Sequence, residues 1–314
     1  VKKDINKYFI IEENDGKENK YKSIKESWIK KELTIADELY QEYLGEMFFE
    51  NYINAIKKIK KTIKIRKKYL SNNIVIYDNL FMLGKVLNLD ERYTESIKVL
   101  NNVEKAYKKH KLRKEDLIYL FSILADNYKN INNYELSIKY YEKVLEIERD
   151  IGAKENSFMA EVYNKIGIVY TKLGDYKKAI KYYHKSSIMI NNDYILIIIY
   201  RNIAESYDDL NDYKNSLKYY KDILKIEKKL SANDDAFLLS IYPDIAFVYE
   251  KLQDYKNSLK YLFTALNTYT KLSEQENKSI LIIENIAAVY FKLGDYRNSI
   301  KYYKNVLQLY YLEK

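Results

Sequence analysis

The sequence predicts an all-α chain built as an α-solenoid of about seven helix-turn-helix repeats, and three observations carry that prediction. Turn residues are scarce: 7 glycines and 1 proline stand among 314 residues, whereas sandwiches, barrels and doubly wound sheets need such residues at their many corners. Apolar residues recur three, four and seven positions apart, the period of a helix with one buried face. The chain also resembles itself at a spacing of about 41 residues, the mark of a repeat architecture. A hydrophobic content of 47% excludes a disordered chain.

From the N-terminus, residues 1–33 read as an extension ahead of the repeats, with Tyr21, Ile24 and Trp28 on one stripe of a capping helix over 20–31. The repeat domain is expected over 34–312. Its first copy is degenerate and runs from Leu39 through Tyr52 and Ala55. The second starts at Leu80 (LFMLGKVLNLDERYTESIKVLNNV) and the third at Phe121 (FSILADNYKNINNYELSIKYYEKV). The fourth, YNKIGIVYTKLGDYKKAIKYYHKS, starts at Tyr163, and the fifth, YRNIAESYDDLNDYKNSLKYYKDI, at Tyr200. The sixth, YPDIAFVYEKLQDYKNSLKYLFTA, starts at Tyr242, and the seventh, IENIAAVYFKLGDYRNSIKYYKNV, at Ile283.

In the fourth copy Tyr163, Ile166, Gly167 and Tyr170 share one helix face, LGDY interrupts the pattern, and Tyr176, Ala179, Ile180 and Tyr183 restart it. Each copy is therefore two antiparallel helices, A and B, joined by a short turn. Gly84, Ala125, Gly167, Ala204, Ala246 and Ala287 let helix A approach helix B, with Tyr43 at that place in the first copy. These seven positions step by 41, 41, 42, 37, 42 and 41. Ala179, Ser216, Ser258 and Ser299 do the same from helix B. Tyr128, Tyr170, Tyr207, Tyr249 and Tyr290 are expected in the core with their hydroxyls at its edge.

These copies resemble the tetratricopeptide repeat, whose pattern is a large residue, Leu, Gly or Ala, Tyr, a turn, Tyr, Ala or Ser, an aromatic and Ala. The spacing is similar to the roughly 42-residue repeats of kinesin-light-chain-like proteins and bacterial signalling-peptide receptors. The resemblance implies a right-handed superhelix that binds an extended peptide or protein segment in a concave groove lined by the A helices. Carried over by register, the inward positions are Tyr119, Ser122, Asp126, Lys129 and Asn130 in copy three, and Glu161, Asn164, Ile168, Thr171 and Lys172 in copy four. Copy five gives Ile198, Arg201, Glu205, Asp208 and Asp209, copy six Ser240, Pro243, Phe247, Glu250 and Lys251, and copy seven Leu281, Glu284, Ala288, Phe291 and Lys292. Of these, Asp126, Lys129, Asn164, Thr171, Arg201, Glu205, Asp208, Phe247, Glu250, Glu284 and Phe291 are the candidate peptide-binding residues. Asn side chains can bridge both polar groups of a peptide backbone, Arg201 can take a carboxylate with two bonds, and Phe247 and Phe291 can line apolar pockets. The family's carboxylate clamp wants Lys at the fifth position and Asn at the ninth. Ser122 with Asp126, Asn164 with Ile168 and Arg201 with Glu205 do not match it, so binding of chaperone tails is disfavoured.

Catalytic chemistry has little to work with. Cysteine is absent, and the two histidines, His110 and His184, are 74 positions apart. His110 falls in KKHKLRKED, expected to be a solvated inter-repeat loop, and His184 is expected to face outward from helix B. Phosphate-loop, dinucleotide, zinc-protease and serine-hydrolase motifs are missing. The expectation is a binding protein with no catalytic residue, no metal and no cofactor.

Charge is uneven. Residues 1–114 hold 26 Lys and Arg against 17 Asp and Glu, while the rest holds 28 of each. The run KKIKKTIKIRKK over 57–68 puts Lys57, Lys58, Lys61, Lys64 and Lys68 on an expected cationic face of helix B in copy one, and KKHKLRK over 108–114 adds a second cluster. Contact with nucleic acid, an acidic protein or a phosphorylated partner is the functional reading of that face, and a solvated face in a Lys-rich chain the bland one. The opening KKDINKYFIIEEND resembles the closing helix of a phage-repressor-type helix-turn-helix domain. Such a domain followed by repeats of this length is the layout of the RRNPP peptide-pheromone receptors. That resemblance implies the ligand-sensing part of a bacterial regulator acting in quorum sensing and transcription regulation, touching DNA only through a domain absent from this chain. The leading Val fits a missing upstream segment. The rival reading is a generic scaffold for complex assembly. No apolar run is long enough to span a membrane, and the cytoplasm is the expected compartment.

Two features test the register. Pro243 falls inside helix A of copy six, where the missing N–H and the ring disturb a helix, so a kink or a helix start near Ser240 is expected. The last helix B is expected to turn Ile300, Tyr303, Val306, Leu307 and Tyr310 inward and to leave Tyr302, Leu309 and Tyr311 outside, which suggests a homodimer through the C-terminal repeat.

Overall fold

The structure is a computed structural model that describes residues 18–70, 73–110, 113–152, 156–230, 235–272 and 277–312. The described residues form fourteen α-helices and no strand. The helices are α1 (Glu18–Phe48), α2 (Tyr52–Tyr69), α3 (Ile74–Leu89), α4 (Tyr93–His110), α5 (Lys114–Asn130), α6 (Tyr134–Asp150) and α7 (Ser157–Lys172). They continue with α8 (Tyr176–Ser187), α9 (Asp193–Asp209), α10 (Tyr213–Leu230), α11 (Asp235–Lys251), α12 (Tyr255–Leu272), α13 (Asn277–Leu293) and α14 (Tyr296–Leu312). Odd-numbered helices are the A helices and even-numbered ones the B helices of seven pairs. The chain divides into two compact units, 1–143 and 144–314, with the division inside α6.

Within each unit, helices pack on their sequence neighbours, α1 on α2 and α2 on α3 in the first, α7 on α8 and α8 on α9 in the second. Contacts reaching further link next-but-one helices, as α3 with α5 and α7 with α9. Such local packing is that of a solenoid, in which each pair buries its apolar face only by stacking on the next.

The turn from A to B has one backbone solution. Glu50, Glu91, Asn132, Gly174, Asn211, Gln253 and Gly294 each have φ between 55° and 85°, and each stands two residues before the first Tyr of its B helix. The left-handed residue turns the chain while the next amide reaches back into the helix, as Asp175 N donates to the Tyr170 carbonyl at 3.0 Å, a common helix ending. Asp175 then caps α8, its carboxylate accepting from Lys178 N at 3.1 Å. These bonds also hold the Asp175 carboxyl below its usual range, through the Lys178 side chain first and its backbone second.

Close approach of A and B is real where the small residues predicted it. A Cβ built on Gly167 would stand 2.5 Å from the Tyr183 ring, and one on Gly84 would overlap the Leu100 side chain. From helix B, Ser96 Oγ donates to the Gly84 carbonyl at 2.6 Å and Ser137 Oγ to the Ala125 carbonyl at 2.9 Å. The core is aliphatic and tyrosine-rich, with Tyr43, Tyr141, Tyr183 and Tyr220 fully buried. The five tyrosines expected in the core with their hydroxyls at its edge are half-buried, Tyr170, Tyr207, Tyr249 and Tyr290 packing against the buried clusters, and each stacks on a tyrosine of its own B helix. Tyr128 lies on Tyr140 with centroids 5.5 Å apart, Tyr170 on Tyr182 at 5.4 Å, Tyr207 on Tyr219 at 5.9 Å, Tyr249 on Tyr261 at 5.6 Å and Tyr290 on Tyr302 at 5.6 Å. Each such pair adds about 0.5–1.5 kcal/mol beyond simple burial.

Several expectations are corrected. The capping helix and the first A helix are one element, α1, which passes through residue 33 without a break. The only Trp, Trp28, is half-exposed on α1 and meets Tyr69 of α2 edge-on at 5.7 Å, with the Lys68 ammonium 4.9 Å from its ring centre. His110 is the last residue of α4 and not a loop residue. His184 does not face outward: it is half-buried, with Nε2 3.3 Å from the Tyr219 hydroxyl. The helix start expected near Ser240 is absent, since α11 runs from Asp235 with Pro243 inside it. One turn before the proline, the Ser240 carbonyl accepts from Arg201 Nη2 at 3.4 Å and Ser240 Oγ donates to the Phe237 carbonyl at 2.7 Å.

The stripe expected to point inward on α14 is also corrected. Ile300, Tyr303, Leu307 and Tyr310 are exposed, whereas Tyr302 and Leu309 pack against the preceding helices, and Val306 is buried as expected. Tyr311 is exposed as expected. In α8, α10 and α12 the equivalent Ile180, Tyr183, Leu217, Tyr220, Leu259 and Leu262 are buried, since in those pairs the following A helix packs on this face. No later helix lies on α14 among the described residues. The resemblance at residues 2–15 and Lys111 and Leu112 of the second basic cluster lie outside the described residues, and the side chains of Tyr21, Ile24 and residues 108–110 are likewise outside them.

Candidate functional site

In the second unit the A helices α7, α9, α11 and α13 are linked laterally through their polar faces. Asn202 of α9 donates to Asn164 of α7 at 3.3 Å. Arg201 of α9 donates to Asp244 of α11 at 2.8 Å, and Lys292 of α13 donates to Glu250 of α11 at 2.5 Å. The fifth and ninth positions of α9 thereby join one continuous polar wall, which is what their spacing of four on a helix demands.

Arg201 is the centre of that wall. Its Nε donates to Glu205 at 3.1 Å, and its Nη2 reaches both Asp244 and the Ser240 carbonyl. Asp208 stands one turn along and does not share the guanidinium. Its Oδ2 accepts from the Tyr220 hydroxyl at 3.4 Å, and its Oδ1 is buried with no partner of hydrogen-bond geometry among the described residues. Burial pushes the Asp208 carboxyl up to about 6, only partly opposed by the nearby Ser216 and Tyr220 hydroxyls and reinforced by Asp244 and Asp209. Burial likewise raises Glu205 and Asp244, with Arg201 pulling each back. The Tyr220 hydroxyl is raised by burial and by Asp244, Asp208 and Glu205. Two carboxylates, Glu205 and Asp244, thus share one cation on a partly wet face, with a third carboxyl, Asp208, buried beside them. An arrangement of that kind costs stability, and it concentrates at sites that do something besides fold.

The other candidate residues divide by what already holds them. Thr171 is satisfied inside its own repeat, donating to the Gly167 carbonyl at 3.2 Å with the Tyr183 hydroxyl 3.0 Å away. Glu250 is held by Lys292, and Glu284 is half-buried. Phe247 and Phe291 are exposed, Phe247 with Lys251 5.0 Å from its ring centre and Phe291 edge-on to Tyr296 at 5.4 Å. In the first unit Asp126 accepts from the Tyr141 hydroxyl at 2.6 Å and from Lys129 at 3.3 Å, so both are engaged within their own repeat. Of the basic face, Lys57, Lys61, Lys64 and Lys68 are exposed, while Lys58 is half-buried in an ion pair with Glu42. Arg66 of the same run is buried, donating to Asp37 and Asn79 at 2.6 Å each. Asp244 and Asn202 were not among the candidates, because the family register points to the second, fifth, ninth, twelfth and thirteenth positions and these are sixth.

Among the described residues no group of three or more His, Asp or Glu could hold a metal ion, and no helix is long and apolar enough to cross a membrane. A tetratricopeptide repeat model matches residues 116–187 and 158–229, and a second tetratricopeptide repeat model matches 282–311. No curated protein sequence matches the chain. Among solved structures, the C-terminal part of a TPR repeat-containing protein from Cytophaga hutchinsonii has a TM-score of 0.63 at 16% identity, covering 88% of this chain and 95% of that one. The apo form of RapI has a TM-score of 0.58 at 16% identity, over 87% of this chain and 97% of RapI. A tetratricopeptide repeat protein from Parabacteroides merdae has a TM-score of 0.55 at 13% identity, over 88% and 93%. The seven helix pairs, their shared turn and these matches agree: the chain carries tetratricopeptide repeats over residues 116–229 and 282–311 and has the fold of a tetratricopeptide repeat solenoid.

Proposed function

We propose that the wall formed by α7, α9, α11 and α13 binds an extended peptide or protein segment, and that the chain is the ligand-sensing part of a peptide-responsive bacterial regulator. The single observation that carries this reading is the Arg201 cluster. Glu205 and Asp244 share one guanidinium and the Asp208 carboxyl is buried beside them without it, at the expense of stability, where a packed core would have used apolar side chains. A ligand offering both amide groups and charge can exchange into such a cluster, and Asn164 and Asn202 beside it suit a peptide backbone. The fold shared with RapI, solved in an apo form, supports a scaffold that takes a ligand. Such a regulator works in the cytoplasm and meets DNA through a domain outside this chain.

The test is selection of peptides from a random library displayed against the purified chain, followed by titration of the winners. Arg201→Ala and Asn164→Ala should each weaken the selected peptides at least tenfold, while Lys61→Ala on α2 leaves them unchanged. Selected peptides indifferent to both changes would move the site elsewhere, and an empty selection would favour a scaffold that recognises folded partners.

A further inference from the structure

Fifteen residues in, five of the seven B helices bury a side chain that closes the repeat, while Tyr310 at that place in α14 is exposed. It is Arg66 in α2, Tyr107 in α4, Glu148 in α6, Glu227 in α10 and Tyr269 in α12, and all five are buried. In α8 that position is Ile190. Here the helix has already stopped: α8 has 12 residues where the other B helices have 17 or 18. The short helix is the local cause of the 37-residue step between Gly167 and Ala204. Where the last turn of a B helix would stand, a cavity of about 520 Å³ opens between α7 and the first turns of α9.

Its apolar wall is Phe158, Ile190, Ile195 and Ile199, and Ser157, Glu161, Asn164 and Ser186 supply its polar part. Asn164 already accepts from Asn202 through Oδ1, which leaves its NH2 group to donate. Glu161 is paired with Lys165 at 3.0 Å, so the rim carries little uncompensated charge. Ile188, Tyr194 and Ile198 beside the mouth are exposed, a density of uncovered apolar surface that ordinary solvated helices do not show. The size, and a wall of large apolar side chains set against four smaller or polar ones, are compatible with a ligand pocket.

We propose that the shortened α8 creates a specificity pocket for one large aliphatic or aromatic side chain of the bound peptide, whose neighbouring carbonyl accepts from the Asn164 amide. The inference rests on the peptide-binding reading of the same wall and adds what that wall selects. A pocket of this kind fixes one residue of the ligand, while the Arg201 cluster fixes its charge and register.

Display selection distinguishes the two. Peptides chosen by the wild-type chain should share a Leu, Ile, Met, Phe or Tyr at one fixed place. Ile195→Trp, at an exposed residue whose enlargement fills the mouth, should abolish that preference and weaken the winners tenfold or more without lowering the melting temperature. Ser157→Tyr, filling from the opposite rim, should act likewise, whereas Arg201→Ala should weaken binding but keep the preference. Winners without a fixed apolar residue, or a preference that survives both fillings, would overturn the pocket and leave the peptide wall standing. If no peptide is selected, the pocket is still decided by the isoleucine methyl resonances of Ile190, Ile195 and Ile199. Shifts caused by N-acetyl-leucinamide or N-acetyl-phenylalaninamide and not by N-acetyl-serinamide uphold it, and unmoved methyls sink it.

Discussion

Replacing Asp208 by Asn should stabilise this protein at neutral pH, and the amount can be worked from the site. The Asp208 carboxyl is raised from 3.8 to about 6, burial being the main cause. About two units at roughly 1.4 kcal/mol each set a ceiling near 3 kcal/mol. Asp208 is only partly buried, and water screens part of that, so about 1–2 kcal/mol is the expected gain. Because the folded pKa lies above the unfolded one, the folded chain keeps its proton between about pH 4 and 6 while the unfolded chain has released it. The wild-type penalty is therefore absent below about pH 4, grows through that window, and is complete above it. The Asp208→Asn change keeps an oxygen for the Tyr220 hydroxyl and removes the charge that faces Asp209 and Asp244. Urea denaturation followed by circular dichroism, run on both chains from pH 4 to 8, would show the difference widening up to about pH 6 and level above it. An Asp208→Asn variant that is less stable than wild type, or a difference that does not change with pH, would refute the account of the cluster as a destabilised site.

Four further outcomes follow from the packing. Gly167→Ala should destabilise by about 1–3 kcal/mol despite the better helix propensity of Ala, because the new methyl meets the buried Tyr183 ring; a rise in melting temperature would mean the ring can yield. Gln253→Gly, at φ 60°, should stabilise by up to about 1 kcal/mol, read by the same urea titration, since glycine enters that region freely. His184 should titrate below 6.5 by proton NMR, burial being the main cause with Lys218 adding to it; its folded pKa lies below the unfolded one, so this contribution to stability is present above about pH 6.5 and is lost as the pH falls. If the exposed stripe of α14 pairs two chains, light scattering at micromolar concentration should give twice the 37.7 kDa mass, and Leu307→Glu with Tyr310→Glu should return it to one.

What the sequence disclosed and what it hid have physical reasons. Seven helix pairs were legible because one hairpin cannot bury its own faces, so the same stripe is written seven times. The A-to-B turn was legible at Gly174 and Gly294 but not at Glu91 or Gln253, which accept the left-handed backbone without advertising it. The orientation of α14 was misread because Ile300, Tyr303 and Leu307 carry the pattern of a face that is buried only when another helix follows. His184 was read as solvated because its own helix period does not show Tyr219 arriving from α10. For the site, Arg201, Glu205 and Asn164 were legible by register. Asp244 was not, since a lateral bond between neighbouring A helices depends on how two copies stack and not on either copy alone. The 37-residue step was visible from the start, yet only the structure shows that it is the end of α8 that is missing.

Trp28 gives the array an optical asymmetry. It is the single indole in a chain with 36 tyrosines, and it meets α2 through Tyr69 and Lys68. In a polymer whose elements bond to neighbours alone, melting can begin at an end and travel. Indole emission then reports the fraying of the first helix pair, while the helical dichroism averages over all seven. The gap between the two melting curves is a direct reading of how many repeats unfold together, obtained from the natural chain with no label attached.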